Sequence, residues 1–170
     1  QIRTGKDHGE IFDHHVVTFT YADGSVIHSE CRHFPGAANR VDETFQGTKG
    51  KIYLSAGNHG LMTDWKGNSI YTHDRENQPN PYQQEHDEFW AALFKGEYKF
   101  ADAENAAKST MTAMMGRYAT YSGKVLTWDE AIHGSVDLFP EKLAWDALPK
   151  LLPNADGYYP HAIPGKTQVI

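Results

Sequence analysis

The alternation of apolar and polar positions changes character once along this chain. Over the first 72 residues, β-branched and aromatic residues alternate with polar ones between turn signals, a pattern typical of antiparallel hairpins. The pattern predicts three pairs of strands: 14–21 with 25–34, 40–46 with 51–55, and 61–65 with 69–72. After the Asn- and Pro-rich stretch 77–81, apolar residues recur every three or four positions, which predicts helices.

Capping signals place the ends of these helices. The first is expected from about Gln83 to Lys95, with Gly96 ending it, and the second begins after Asp102 as N-cap. Thr127 and the glutamate three residues later have the spacing of a capping box for a third helix. Strands followed by helices predict an α+β fold, in which an open, mostly antiparallel sheet of at least five strands has the helices packed on one face.

The first hairpin determines which side chains share a face. If Asp23-Gly24 is a two-residue turn, His14 lies opposite His33, and Phe19 shares a face with Val17 and the polar residues of the second strand. The other face holds Val16, Ile27 and Cys31, the last expected as a small buried residue. Either face is too apolar for solvent, so we expect a homo-oligomer, most simply a twofold dimer with sheets face to face.

Composition excludes several classes of function. A net charge of -6 without a local Lys/Arg cluster is atypical of a nucleic-acid-binding protein, and no apolar run is long enough to span a membrane. The single cysteine, Cys31, excludes an internal disulfide framework. A length of 170 residues fits one domain.

One family resemblance follows from the order of motifs. The stretch 116–140 combines a helix end, a Gly stop, a capped helix and an Asp-Leu-Phe-Pro exit, and together with four further segments it resembles the C-terminal region of the glucose–fructose oxidoreductase / inositol dehydrogenase / rhizopine-catabolism (Gfo/Idh/MocA) family. The further segments are Arg3-Thr4-Gly5 with 11–14, Cys31-Arg32-His33-Phe34-Pro35-Gly36 with Asn39-Arg40-Val41, Gly47-Thr48-Lys49-Gly50, and Glu85-His86-Asp87-Glu88-Phe89. The closing 162–167 looks like the family's terminus.

The resemblance implies that residues 1–170 form the substrate-binding and oligomerisation domain of an NAD(P)-dependent oxidoreductase acting on a sugar or polyol. The chain has no Gly-x-Gly-x-x-Gly, so the dinucleotide-binding domain, with NAD or NADP and the catalytic lysine, is expected upstream. The start at Gln1 is interpreted as an internal cut, and we assign no catalytic residue and no bound cofactor to this chain alone. The sequence does not distinguish between a cytoplasmic and a periplasmic location.

Four residues are candidates for substrate binding: Arg32, Asn39, Arg40 and His86. The first three bracket the Pro35-Gly36 loop, where donors could surround sugar hydroxyls or a carboxylate. The alternative is that Arg32 pairs with a surface carboxylate, that Asn39 makes a turn and that His86 is a core-edge histidine. Trp90, by its helical phase, is expected in the core.

Ten histidines also raise the question of a metal site. Five lie close in sequence, and His14 and His33 are neighbours in the expected register; the five are His8, His14, His15, His28 and His33. No established metal-ligand spacing supports a site, and we assign no metal. Two other functions stay open: a domain of a related NAD-retaining glycosidase, and a non-catalytic sugar-binding or dimerisation module.

Overall fold

The computed structural model describes residues 3, 5–6, 11–57, 59–73 and 76–170, so Thr4 and His8 lie outside the described residues. Nine elements follow one another: β1 (His14–Thr20), β2 (Val26–Arg32), β3 (Asp42–Gln46), β4 (Gly50–Ser55), β5 (His59–Asp64), β6 (Ser69–Thr72), α1 (Pro81–Phe94), α2 (Ala103–Ser122) and α3 (Trp128–Ile132). All strand pairs are antiparallel. The α+β class with antiparallel strands is confirmed.

The strands form two sheets, β1–β2 and β3–β4–β5–β6, where a single sheet of at least five strands was expected. The chain divides accordingly into two compact units, residues 1–36 with 102–170, and residues 37–101. The first unit holds the hairpin, α2 and α3, and the second holds the four-stranded sheet and α1.

The turn of the first hairpin differs from the expected one by one residue. Gly24 N donates to Tyr21 O at 3.0 Å, and Tyr21 N donates to Ser25 O at 2.9 Å, so three residues rather than two form the loop. Gly24 has φ 84°, the left-handed conformation that ends such a loop. The register therefore pairs His14 with Arg32, and the expected pairing of His14 with His33 is wrong.

The one-residue shift moves every side chain of β2 to the other face relative to β1. Val17 and Phe19 now share a face with Ser29 and Ile27, and both are half-buried against α2. A Cβ atom built on Gly116 of α2 would lie 3.2 Å from Phe19 Cζ, which shows how closely helix and strand approach. The face expected to be free for a partner is therefore the face that the helix covers.

β2 stays open, because α2 covers only β1. Every residue of β2 is exposed, including Cys31, so the expectation of a buried cysteine is wrong. The core of this unit includes Tyr118 and Tyr121 of α2, Ala131 of α3 and Ala162 of the C-terminal segment. The predicted capping box of α3 is confirmed: the Thr127 side chain accepts from the Glu130 backbone, and the Glu130 side chain accepts from the Thr127 backbone.

In the second unit, α1 begins at Pro81, where the Asn80 side chain accepts from the backbone of Tyr82 and Gln83. Within the described residues of this unit, α1 packs against none of the strands. Trp90 is consequently half exposed, and its predicted place in the core is wrong. No helix in the described part of the chain is long and apolar enough to cross a membrane.

Candidate functional site

A histidine joins the hairpin to helix α2. His15 Nδ1 lies 2.8 Å from Thr120 Oγ1, and the Thr120 hydroxyl is itself within bonding distance of the carbonyls of Gly116 (3.2 Å) and Arg117 (3.0 Å). A hydroxyl has one hydrogen. When that hydrogen goes to the helix backbone, His15 Nδ1–H is the donor to Thr120, and Nε2 of the neutral ring keeps its lone pair.

Aromatic rings surround this imidazole. The His15 ring stacks on Tyr121 with centroids 5.9 Å apart, and Phe12 meets Tyr121 edge-on at 4.6 Å. The guanidinium carbon of Arg117 lies 4.6 Å from the Tyr121 ring centroid, within the range of a cation–π contact. We call His15, Thr120, Tyr121, Arg117 and Phe12 the His15 cluster.

The surroundings of His15 favour its neutral form. Burial lowers its pKa, and the charges of His14 and Arg117 lower it further. Its neighbour Asp13 is buried and accepts a 2.6 Å hydrogen bond from His14 Nδ1, which lowers the pKa of the Asp13 carboxyl. A neutral imidazole beside an exposed guanidinium combines a hydrogen-bond acceptor with a cationic donor, and a hydroxyl group, which both donates and accepts, can use the two together.

The four predicted substrate-binding residues are spread over a strand, a loop and a helix. Arg32 ends β2, with its guanidinium carbon 5.8 Å from the Phe34 ring centroid. Arg40 lies in the loop before β3, where Nε is 3.2 Å from the Asp42 carboxylate, and Asn39 precedes it in the same loop. The Arg40 guanidinium therefore pairs with Asp42.

His86 stands on an exposed face of α1, where its ring nitrogen is 3.9 Å from the Glu85 carboxylate. Arg32 belongs to the first unit, whereas Asn39, Arg40 and His86 belong to the second. Their role in substrate binding stays a prediction.

Two histidines of the hairpin region make ordinary contacts, one through its side chain and one through its backbone. His28 Nδ1 lies 3.1 Å from Thr18 Oγ1, and the His33 backbone donates to Asp13 O at 2.8 Å. Among the described residues, no group of three His, Cys, Asp or Glu side chains has the geometry of a metal site.

Comparison of the chain with models of protein families, with curated proteins and with solved structures finds no match. The resemblance to the Gfo/Idh/MocA family therefore rests on the sequence motifs alone.

Sequence reasoning did not single out His15. The strand pattern did indicate that His15 is partly buried, because His15 shares one face of β1 with Val17 and Phe19. Its partner Thr120 is 105 positions away, and no local pattern connects two such residues.

Proposed function

We propose that this chain is the substrate-side and oligomerisation domain of an NAD(P)-dependent oxidoreductase that acts on a sugar or polyol. The order of the sequence motifs supports the family, and the antiparallel strands followed by helices agree with the fold that the family implies. In such an enzyme the cofactor supplies the hydride chemistry, and this domain orients the substrate and excludes water.

The residues described here do not fit a dinucleotide. The first N–H groups of α1 are occupied by the Asn80 side chain, and α2 begins with the acidic residues Asp102 and Glu104, which repel a pyrophosphate. We therefore assign the nicotinamide to a separate domain and derive no step through it.

One observation supports the oligomerisation role more than any other. Phe45, Ile52, Met62 and Tyr71 are direct cross-strand partners on one face of the four-stranded sheet. We call these four residues the apolar row. Its end members Phe45 and Tyr71 are 56% and 57% exposed, and no helix of the same unit covers them within the described residues.

A contiguous apolar row on an open sheet is typical of a protein–protein contact, since aromatic side chains supply most of the energy of such interfaces. A second copy of the sheet presents the same row, so a twofold axis through it buries both at once. We therefore propose the self-contact on the four-stranded sheet rather than on the hairpin.

The activity is tested in the longest natural protein that contains this sequence. It is incubated with NAD or NADP and a panel of sugars and polyols, and the reduced nicotinamide is followed by absorbance. Arg40→Ala is compared with Lys49→Ala, an exposed cation of the β3–β4 turn. We expect turnover of at least one polyol, and a KM that Arg40→Ala raises and Lys49→Ala does not. A protein that neither binds nor reduces NAD(P) would contradict the proposal.

The oligomerisation role is tested by sedimentation of the 170-residue chain. Phe45→Asp introduces a charge into the apolar row and is expected to shift the distribution toward the 19.1 kDa monomer. Val125→Asp, at another exposed apolar position, serves as control. If the native chain and Phe45→Asp sediment equally, the apolar row does not take part in self-association.

A further inference from the structure

A loop that is rich in apolar residues follows α3, and an ion pair joins its two ends. Lys150 Nζ donates to the Asp137 carboxylate at 2.8 Å and to Asp137 O at 3.1 Å, which joins two positions thirteen residues apart. At the start of the loop, Phe139 N donates to Asp137 Oδ1 at 3.0 Å. We call residues 137–150 the closed loop; its length and joined ends are those of a compact Ω-type loop.

The closed loop directs its largest side chains into solvent. Trp145 is fully exposed and Leu143 is 81% exposed, and three further residues of the loop are more than half exposed. These three are Leu138, Phe139 and Leu148. A single exposed apolar side chain is ordinary, but five of them within fourteen residues of sequence are a concentration that is typical of contact surfaces.

An open groove lies at the base of the same loop. It has a volume of about 330 Å³, and its lining is mostly apolar; the lining includes Met114, Tyr118, Val136, Leu138 and Phe139. The groove and Trp145 belong to the same unit. One chain therefore presents both an unfilled apolar groove and an unburied indole.

We propose that the closed loop docks onto a second copy of this chain, with Trp145 of each copy entering the groove of the other. A groove and a projecting side chain on one protomer are satisfied reciprocally by a twofold axis. Tryptophan is also the residue most enriched among side chains that dominate interface energies. This deepens the proposed oligomerisation role, and it rests on that proposal only for the expectation that the chain self-associates.

The area of the loop fits such a contact. A standard interface buries about 800 Å² on each partner, and one large aromatic side chain contributes roughly 150–250 Å² of that. The two aromatic side chains, Trp145 and Phe139, can supply roughly half of this area, and the three exposed leucines add to it. The ion pair between Lys150 and Asp137 joins the two ends of the loop, and this link lowers the ordering cost of association.

Charge favours a second copy over a lipid surface. The closed loop contains three acidic residues and two lysines, and the whole chain has a net charge of -6. Anionic lipid attracts clustered basic residues, and the loop has no such cluster. Acidic and basic residues interspersed along the loop can instead pair across a twofold axis, for example Lys142 with Asp146 of the other copy.

The first test measures self-association of chains that carry Phe45→Asp, so that any association through the apolar row does not hide the contribution of the closed loop. Trp145→Ala is expected to raise the dissociation constant at least about 30-fold, which corresponds to the roughly 2 kcal/mol of a dominant interface residue. Tyr98→Ala, an aromatic residue 92% exposed in the other unit, is the matched control and is expected to change nothing. Because Trp145 is fully exposed, its removal leaves the fold intact, as circular dichroism would verify.

The second test uses complementation. Leu138→Glu places a charge in the groove, and it retains the indole, whereas Trp145→Ala retains the groove. Each variant alone is expected to be monomeric, and their mixture is expected to form a heterodimer through the one remaining contact. No association of the Phe45→Asp chain with its loop intact, or no gain on mixing the two variants, would overturn the proposal. A chain that dimerises through the loop but shows no NAD(P)-linked activity would overturn the enzymatic function alone.

Discussion

His15 Nδ1 of the first strand lies 2.8 Å from Thr120 Oγ1 of the second helix, and this hydrogen bond joins two elements that are 105 residues apart. The hydroxyl satisfies both the imidazole and the carbonyls of its own helix. The bond therefore joins the hairpin to α2, and His15 Nδ1–H is its donor when the Thr120 hydrogen goes to the helix backbone.

Removal of the Thr120 hydroxyl is expected to destabilise the first unit. Thr120→Val keeps the shape and leaves His15 Nδ1–H without its partner, so we expect a loss of about 1 kcal/mol in the free energy of unfolding. Thr112→Val is the control, since the Thr112 hydroxyl bonds only to Lys108 O of its own helix. Urea denaturation of both variants measures the difference, and equal losses would show that the contact with His15 contributes nothing.

Stability is expected to depend on pH through His15. Its pKa in the folded state is below the ordinary value of 6.5 because of burial and of the charges on His14 and Arg117. The unfolded chain then binds more protons than the folded one between the two pKa values, so stability falls as the pH drops below about 6.5 and levels off below the folded pKa. His15→Gln should flatten this decline, and the NMR titration of the His15 ring should have a midpoint below 6.5.

The C-terminal segment contacts the end of α2 at Gly123. This residue has φ 68°, and a Cβ atom there would lie 2.9 Å from Pro164 Cβ. Gly96 ends α1 with φ 72° and has no atom within 4 Å of such a Cβ. Both Gly→Ala changes strain the backbone by about 1–2 kcal/mol, but Gly123→Ala additionally displaces the segment. We expect Gly123→Ala to cost more in thermal denaturation, and equal costs would contradict the contact.

Substitutions at two phenylalanines are expected to affect different properties, stability in one case and self-association in the other. Phe19 packs against α2 beside Gly116, so Phe19→Asp is expected to cost about 3 kcal/mol or more in stability, in the range of core truncations. Phe45 lies on the open apolar row, where Phe45→Asp should leave the unfolding transition nearly unchanged and weaken association. Denaturation and sedimentation are measured for both variants. A large loss of stability for Phe45→Asp, with weakened association for Phe19→Asp, would contradict these roles.

Several local features follow from the sequence because their causes lie within a few residues. Asp64 accepts from the backbone of Lys66 and Asn68, which closes the predicted turn after β5. The capping box at Thr127 has a similarly local origin. The α+β class followed from the change of hydrophobic period near Pro81 for the same reason.

The predicted register of the first hairpin was wrong because the same five residues allow two different turns. Tyr-Ala-Asp-Gly-Ser accommodates a two-residue turn or a three-residue turn that ends at Gly24, and the alternation of the strands was mixed in either register. The observed turn is the three-residue one, in which Tyr21 N donates to Ser25 O and Gly24 has a left-handed φ of 84°. Because α2 covers β1 and leaves every residue of β2 exposed, the burial of β2 does not reveal the register.

The sequence by itself determined the type and order of the elements and the capping box of α3, because hydrogen bonds within a turn and the period of a strand or helix are properties of neighbouring residues. Only the tertiary structure decided which faces are covered. It placed His15 against Thr120, left Trp90 and Cys31 exposed, and joined Asp137 to Lys150 with Trp145 outside. Burial depends on which distant segment arrives at a face, and a hydrophobic pattern specifies that a face needs a partner without specifying which one.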